Sequence, residues 1–206
     1  MARIQSRKQK KVDQASRKAG RILAGIAAAV VVVAIGLFWR MDTVLPGGSV
    51  GGPFTLEDQS GHTVTGASYR GKLMLIYFGY TYCPDICPTT LGGIGRALDQ
   101  LTPQQRAQIV PIFISVDPKR DTVDQLSQYV RNFMPDLVGL TGSPDQVQTV
   151  MREFRVYAKK VPGDGPNYTV DHSSILYLMD RQGKFLKPFP GSIPANDLAA
   201  ALKKAL

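Results

Sequence analysis

Two cysteines stand four residues apart in Thr81-Tyr-Cys-Pro-Asp-Ile-Cys-Pro-Thr89, and they are the only thiols in the 206 residues. At that spacing Cys83 and Cys87 can close a disulfide, whose Cα atoms stand about 4.4–6.8 Å apart, or clasp a soft metal ion. If a helix begins near Cys87, with Cys83 in the turn before it, both sulfurs point at one spot. The helix N-terminus also favours thiolate over thiol. Spacing alone leaves redox pair and metal clasp both open; a third ligand separates them. His62 sits among polar residues beside a glycine turn and reads as a surface imidazole. His172, in Tyr168-Thr-Val-Asp-His-Ser-Ser174, precedes an apolar run and is the candidate partner. Two thiolates and an imidazole form a three-coordinate soft site suited to Cu(I), whereas structural zinc normally takes four protein ligands.

The elements that must position these groups follow from hydrophobic patterning. Leu73-Met-Leu-Ile-Tyr-Phe-Gly79 is a continuous apolar run bounded by turn residues, predicting a strand buried on both faces. The cysteines follow its C-terminal end, and a helix is expected from about Pro88 to Leu101. Ile109–Val116 predicts a second buried strand, Thr122–Phe133 a helix, Leu137–Leu140 a short strand, and Asp145–Phe154 a helix opened by Pro144. Residues 159–169 read as a loop. Ser174–Met179 and Lys184–Pro188 read as strands joined by a turn, and Pro194–Leu206 as a closing helix. Ahead of all these, Phe54–Leu56 and His62–Thr65 suggest a hairpin turning at Ser60-Gly61. The order predicts an α/β fold, a mixed sheet with helices on both faces. Ligand sites in such folds lie at the C-terminal ends of the strands, where Cys83 sits.

The net charge of +9 is concentrated at one end. Residues 1–21 carry eight basic residues against Asp13 alone, while Met41 onward has 16 basic and 15 acidic. A short basic tail, not a basic face of the domain, therefore sets the charge, which argues against nucleic acid as a partner. Ile22–Trp39 follows as 18 uncharged residues, about 27 Å as a helix and close to the ~30 Å bilayer core. Arg17, Lys18 and Arg21 before it and Arg40 after it bracket the segment, and no small-residue cleavage site ends it. The expectation is a basic cytoplasmic tail (1–21), a retained transmembrane helix (22–39), a Gly/Pro linker (40–53) and a domain (54–206) on the far side. Exported thiols meet an oxidising compartment, so the pair would also be open to disulfide formation.

Three stretches together resemble the SCO/SenC family: Gly79-Tyr-Thr-Tyr-Cys-Pro-Asp-Ile-Cys-Pro88, Ser115-Val-Asp-Pro-Lys-Arg-Asp-Thr122 and Val170-Asp-His-Ser-Ser174. Members are membrane-anchored, thioredoxin-like copper chaperones of cytochrome c oxidase assembly. The resemblance covers residues 53–206, and the anchor and linker match the family layout. It implies a thioredoxin-like fold with copper, as Cu(I) and/or Cu(II), bound by Cys83, Cys87 and His172. It also implies delivery to the dinuclear centre of oxidase subunit II, with other copper chaperones and thiol reductants as further partners. The long transit peptide of mitochondrial members is absent, which points to a bacterial inner membrane with the domain in the periplasm.

Around the ligands, Asp85 either bonds within its loop or presents a charge to a partner. Asp171 either orients the imidazole of His172 or is an ordinary turn residue. Tyr80 and Tyr82 either shield the site or belong to the core. Asp117, Arg120 and Asp121 read as a charge-and-cap cluster ahead of the next helix. A metal-transfer protein without turnover is the leading function. A thiol–disulfide reductase for the acceptor's cysteines is the alternative, disfavoured because the spacing is one longer than C-x-x-C and Val170–Ser174 has no proline. A copper or redox sensor is a third reading, which no residue selects.

Overall fold

The computed structural model describes residues 50–163 and 168–206. The tail, the apolar segment 22–39 and the linker up to residue 49 lie outside the described residues. Among the described residues no helix is long and apolar enough to cross a membrane.

Among the described residues nine strands and five α-helices follow one another, with a short 3-10 helix (Gly66–Tyr69) between the second and third strands. They are β1 (Thr55–Asp58), β2 (Thr63–Thr65), β3 (Leu73–Gly79), α1 (Ile86–Leu98), α2 (Pro103–Arg106), β4 (Ile109–Ser115), α3 (Val123–Val130), β5 (Val138–Thr141), α4 (Pro144–Glu153), β6 (Ala158–Pro162), β7 (Tyr168–His172), β8 (Ile175–Met179), β9 (Phe185–Pro190) and α5 (Ala195–Ala205). Seven strands form one sheet in the order β2-β1-β5-β4-β3-β8-β9, and β6 and β7 form a separate ribbon. β3, β4 and β5 run parallel; β1 and β8 join their two sides antiparallel, so the sheet is mixed. α1 packs against α5, α3 over β5 and α4 against β1. This is a thioredoxin-like α/β arrangement, a mixed sheet flanked by helices.

The apolar run Leu73–Gly79 is buried at every position because β3 lies between β4 and β8 with helices covering the sheet. α1 begins two residues earlier than expected and ends at Leu98, so Cys87 falls inside its first turn. Pro88 is tolerated there because a first-turn amide has no intrahelical acceptor to lose. α3 and α4 are capped by residues not singled out as caps from the sequence: Thr122 accepts from the Gln125 amide at 3.3 Å and Ser143 from the Gln146 amide at 3.3 Å. The largest departure lies at 159–169. Instead of a loop, Ala158–Pro162 and Tyr168–His172 pair antiparallel, with Ala158 opposite His172 and Lys160 opposite Val170. Half of their residues are exposed, only Val170 is buried and the paired segments are short, which hid the alternation.

Candidate metal centre

β3 delivers the chain to the thiols. The Gly79 carbonyl accepts from the Val116 amide at 2.8 Å, and the chain then turns so that the Cys83 amide donates to the Tyr80 carbonyl at 3.2 Å. Gly79 has no side chain for a physical reason. A Cβ there would stand 2.7 Å from Phe113 and 2.8 Å from the Cys87 sulfur, closer than side-chain packing permits. Cys87, in the first turn of α1, is fully buried, and Cys83 is 7% exposed. The Cys87 amide points at the Cys83 sulfur at 3.3 Å. Both cysteines are free thiols.

The ribbon delivers the third group. His172 ends β7, and its Nε2 lies 3.3 Å from the Cys87 sulfur, across 85 residues of chain. One ligand atom from each of Cys83, Cys87 and His172 falls within 4.8 Å of the others. A metal ion bonded to sulfur and nitrogen at about 2.0–2.3 Å separates its ligand atoms by up to roughly twice that distance. The three groups are therefore nearly in place to close on one ion. A cavity of about 340 Å³ opens beside them, lined by Tyr80, Cys83, Pro84, Ile86 and His172 among others. A larger cavity of about 450 Å³, between Phe54, Met74, Met179 and Phe185, contains no thiol, imidazole or carboxylate and offers a metal nothing comparable.

The two thiols are electrostatically unequal. The Cys87 thiol donates a hydrogen bond to the Cys83 sulfur, and with help from His172 and the Cys87 and Asp85 backbone it outweighs burial to hold Cys83 down to about 4. Bonding to that thiolate, and then burial, push Cys87 well above the ordinary thiol range. The pair thus holds one proton tightly and gives up the other easily. A metal ion must displace the remaining proton, and its positive charge supplies the drive.

Tyr77, an unremarked member of the apolar run, contributes a buried hydroxyl. It donates to the Cys87 sulfur at 3.8 Å, lies 3.5 Å from the Ser174 hydroxyl, and is raised out of the titrating range chiefly by burial. A tyrosine inside an otherwise hydrocarbon strand was the available signal, because its hydroxyl needs a partner. Tyr80 is buried, meets the His172 ring edge-on at 5.8 Å and bonds the Val170 backbone, so it is both core and shield. Tyr82 is 53% exposed.

The remaining expectations divide. Asp85 occupies the N-cap position of α1, and its carboxylate accepts from Thr89 Oγ1 at 3.2 Å while staying exposed. Asp171 is exposed in β7 and the His172 Nδ1 faces the Ser173 carbonyl at 3.2 Å, so of the two alternatives for Asp171 the orienting one falls to a backbone carbonyl instead, and Asp171 is a strand residue rather than a turn residue. His62 is on the surface, 3.6 Å from Asp58. Asp117 and Asp121 are fully buried and do not act as helix caps. Asp121 accepts from Ser115 at 2.6 Å and from the Thr81 hydroxyl at 2.7 Å, and burial holds its carboxyl above the ordinary range. Asp117 accepts from the Tyr168 hydroxyl at 2.8 Å.

The sequence model of the SCO1/SenC family matches residues 43–206. The mitochondrial protein SCO1 homolog 1 of Arabidopsis thaliana is 45% identical over 158 residues, covering 77% of this chain and 47% of the relative. The chain thus spans about half the length of that plant protein. An SCO2-like protein of Rickettsia prowazekii is 44% identical over 156 residues, 75% of this chain and 76% of the relative. Among solved structures, Bradyrhizobium japonicum ScoI with copper bound matches at a TM-score of 0.72 and 46% identity, covering 77% of this chain and 100% of that one.

Proposed function

The chain belongs to the SCO1/SenC family, and on that premise we propose that it is a membrane-anchored copper chaperone of cytochrome c oxidase assembly. Cys83, Cys87 and His172 hold copper as cargo, and the acceptor is the dinuclear copper centre of oxidase subunit II. The proposed layout is a cytoplasmic tail (1–21), a single inner-membrane span (22–39), a linker (40–53) and an exported copper-binding domain (54–206), as the apolar segment and charge distribution support. One observation carries the reading: His172 Nε2 stands 3.3 Å from the buried Cys87 sulfur, with Cys83 in the same group. Two thiolates and one imidazole suit a soft ion, and the cavity that Cys83 and His172 line gives an acceptor a side from which to approach. The copper-bound Bradyrhizobium relative supports the choice of metal.

The test is copper stoichiometry and affinity of the reduced full chain in detergent, by competition with a chelator, for wild type, Cys83→Ala and His172→Ala. The expected results are one copper per chain in wild type, loss of that stoichiometry in Cys83→Ala, and weaker binding in His172→Ala. Wild-type affinity in His172→Ala would sink the three-ligand reading. A second reading, a thiol–disulfide reductase acting on the acceptor's cysteines, draws on the thiolate held at Cys83. Steady turnover of a disulfide substrate with a dithiol, undiminished in His172→Ala, would favour it.

A further inference from the structure

The ribbon carrying His172 must be held against the segment carrying the cysteines, and one guanidinium touches both. Arg120 lies between β4 and α3. Its Cζ is 3.6 Å from the ring centroid of Tyr168 on the ribbon, 4.7 Å from that of Tyr82 and 5.7 Å from that of Tyr80 beside the cysteines. Its edge is used as well. Nη1 donates to the Tyr168 carbonyl at 3.0 Å and Nε donates to Asp117 at 2.5 Å, the same carboxylate that accepts from the Tyr168 hydroxyl. Nη2, shielded from solvent, meets no hydrogen-bond partner among the described residues. A flat cation that covers a ring with its face while bonding backbone and carboxylate with its edge is what arginine offers and lysine does not.

We propose that Arg120 is a positioning residue for the metal centre. It locks Tyr168 at the start of β7 to the Tyr80–Tyr82 segment, and so holds His172, four residues along the same strand, in reach of the Cys87 sulfur. The inference rests on the reading of Cys83, Cys87 and His172 as the ligand set. Among the described residues Arg120 bonds Asp117 and the Tyr168 carbonyl and none of these three ligands; its effect passes through the ribbon, which makes its action separable from a general loss of stability.

A double-mutant cycle on the full chain in detergent tests this, with Arg120→Gln, Arg120→Lys, His172→Ala and Arg120→Gln/His172→Ala. The readouts are copper affinity by chelator competition and the nitrogen hyperfine signal of the Cu(II) form. Arg120→Gln is expected to weaken copper by about 10–100-fold, the range for residues that orient a ligand, and to lose nitrogen hyperfine as His172→Ala does. In the His172→Ala background the same change is expected to shift affinity by less than about twofold, because no imidazole remains to position. Arg120→Lys should resemble Arg120→Gln. Wild-type affinity in Arg120→Gln, rescue by lysine, or an equal loss in both backgrounds would overturn the proposal. If Arg120→Gln loses its thermal transition, Tyr168→Leu removes the stacking surface instead and must give the same non-additive pattern. Wild-type affinity in His172→Ala is a different outcome and would remove the ligand reading beneath it.

Discussion

The two halves of the candidate metal centre are held by different forces. The cysteine half grows out of the core: β3 is buried along its whole length, and α1 presents Cys87 from its first turn with Leu91 and Ile94 buried behind it. The histidine half is a two-stranded ribbon outside the main sheet, on which Val170 alone is buried. A lone two-stranded hairpin is marginal in water, so the ribbon depends on Val170, Tyr168 and the groups they meet. The thiols are therefore fixed at the cost of unfolding the domain, while the imidazole can be withdrawn by disturbing a few side chains. On the proposed reading as a copper carrier, this inequality would serve release, because one ligand could leave without the others moving.

Substitutions on the two sides should separate these costs. Leu91→Ala, behind the thiols, is expected to lower the unfolding free energy by about 2–5 kcal/mol, as for other buried leucines, measured by urea denaturation of the reduced protein. A loss below about 1 kcal/mol would mean that the cysteine half does not rest on the core. Val170→Ala removes two methyl groups from the ribbon's buried position, worth about 1–2 kcal/mol. Here the readout is hydrogen exchange by mass spectrometry. Faster exchange confined to 158–162 and 168–172, with the β3 amides unchanged, is the expected result. Uniform acceleration across both regions would break the distinction.

The same inequality explains what could be read from sequence. The run Leu73–Gly79, the helix openings at Thr122 and Ser143-Pro144 and the cysteine spacing are local patterns, and the structure reproduces them within a residue or two. Gly71 and Gly79 bound β3 clearly because hydrocarbon stops at them. The ribbon was illegible. Lys159, Lys160 and Pro162 look like loop residues, and pairing strands this short contributes little local signal. Arg120 meets Tyr168 across 48 residues, and no periodicity announces such a contact. Asp121 stands where a cap is expected, yet it is drawn inward by Thr81 and Ser115, a destination set by the fold. His172 is legible from its place in a polar stretch at the mouth of an apolar strand, and the family resemblance points to the same residue, whereas the ribbon that brings it to the thiols is not legible.

The smallest expected effect is a pH response that is nearly flat, and it tests whether the cysteine half is already formed before metal arrives. An ordinary thiol with a pKa of about 8.5 loses roughly 100-fold of its thiolate, and so of its alkylation rate, between pH 7 and pH 5. Cys83 is held at about 4, first by the hydrogen bond from the Cys87 thiol. Because that value is depressed, the thiolate persists above it and is lost only as pH falls through it. The rate of iodoacetamide addition to Cys83 should therefore change by less than about twofold between pH 7 and pH 5. Mass spectrometry of the reduced chain would assign the label to Cys83, with Cys87 unlabelled because it is buried and retains its proton. Cys87→Ala should restore a steep profile, since it removes the donor that holds the thiolate. A steep profile in the wild type would show that the thiols are not yet arranged as a pair, and the contrast between a preformed cysteine half and a separately held histidine half would fail.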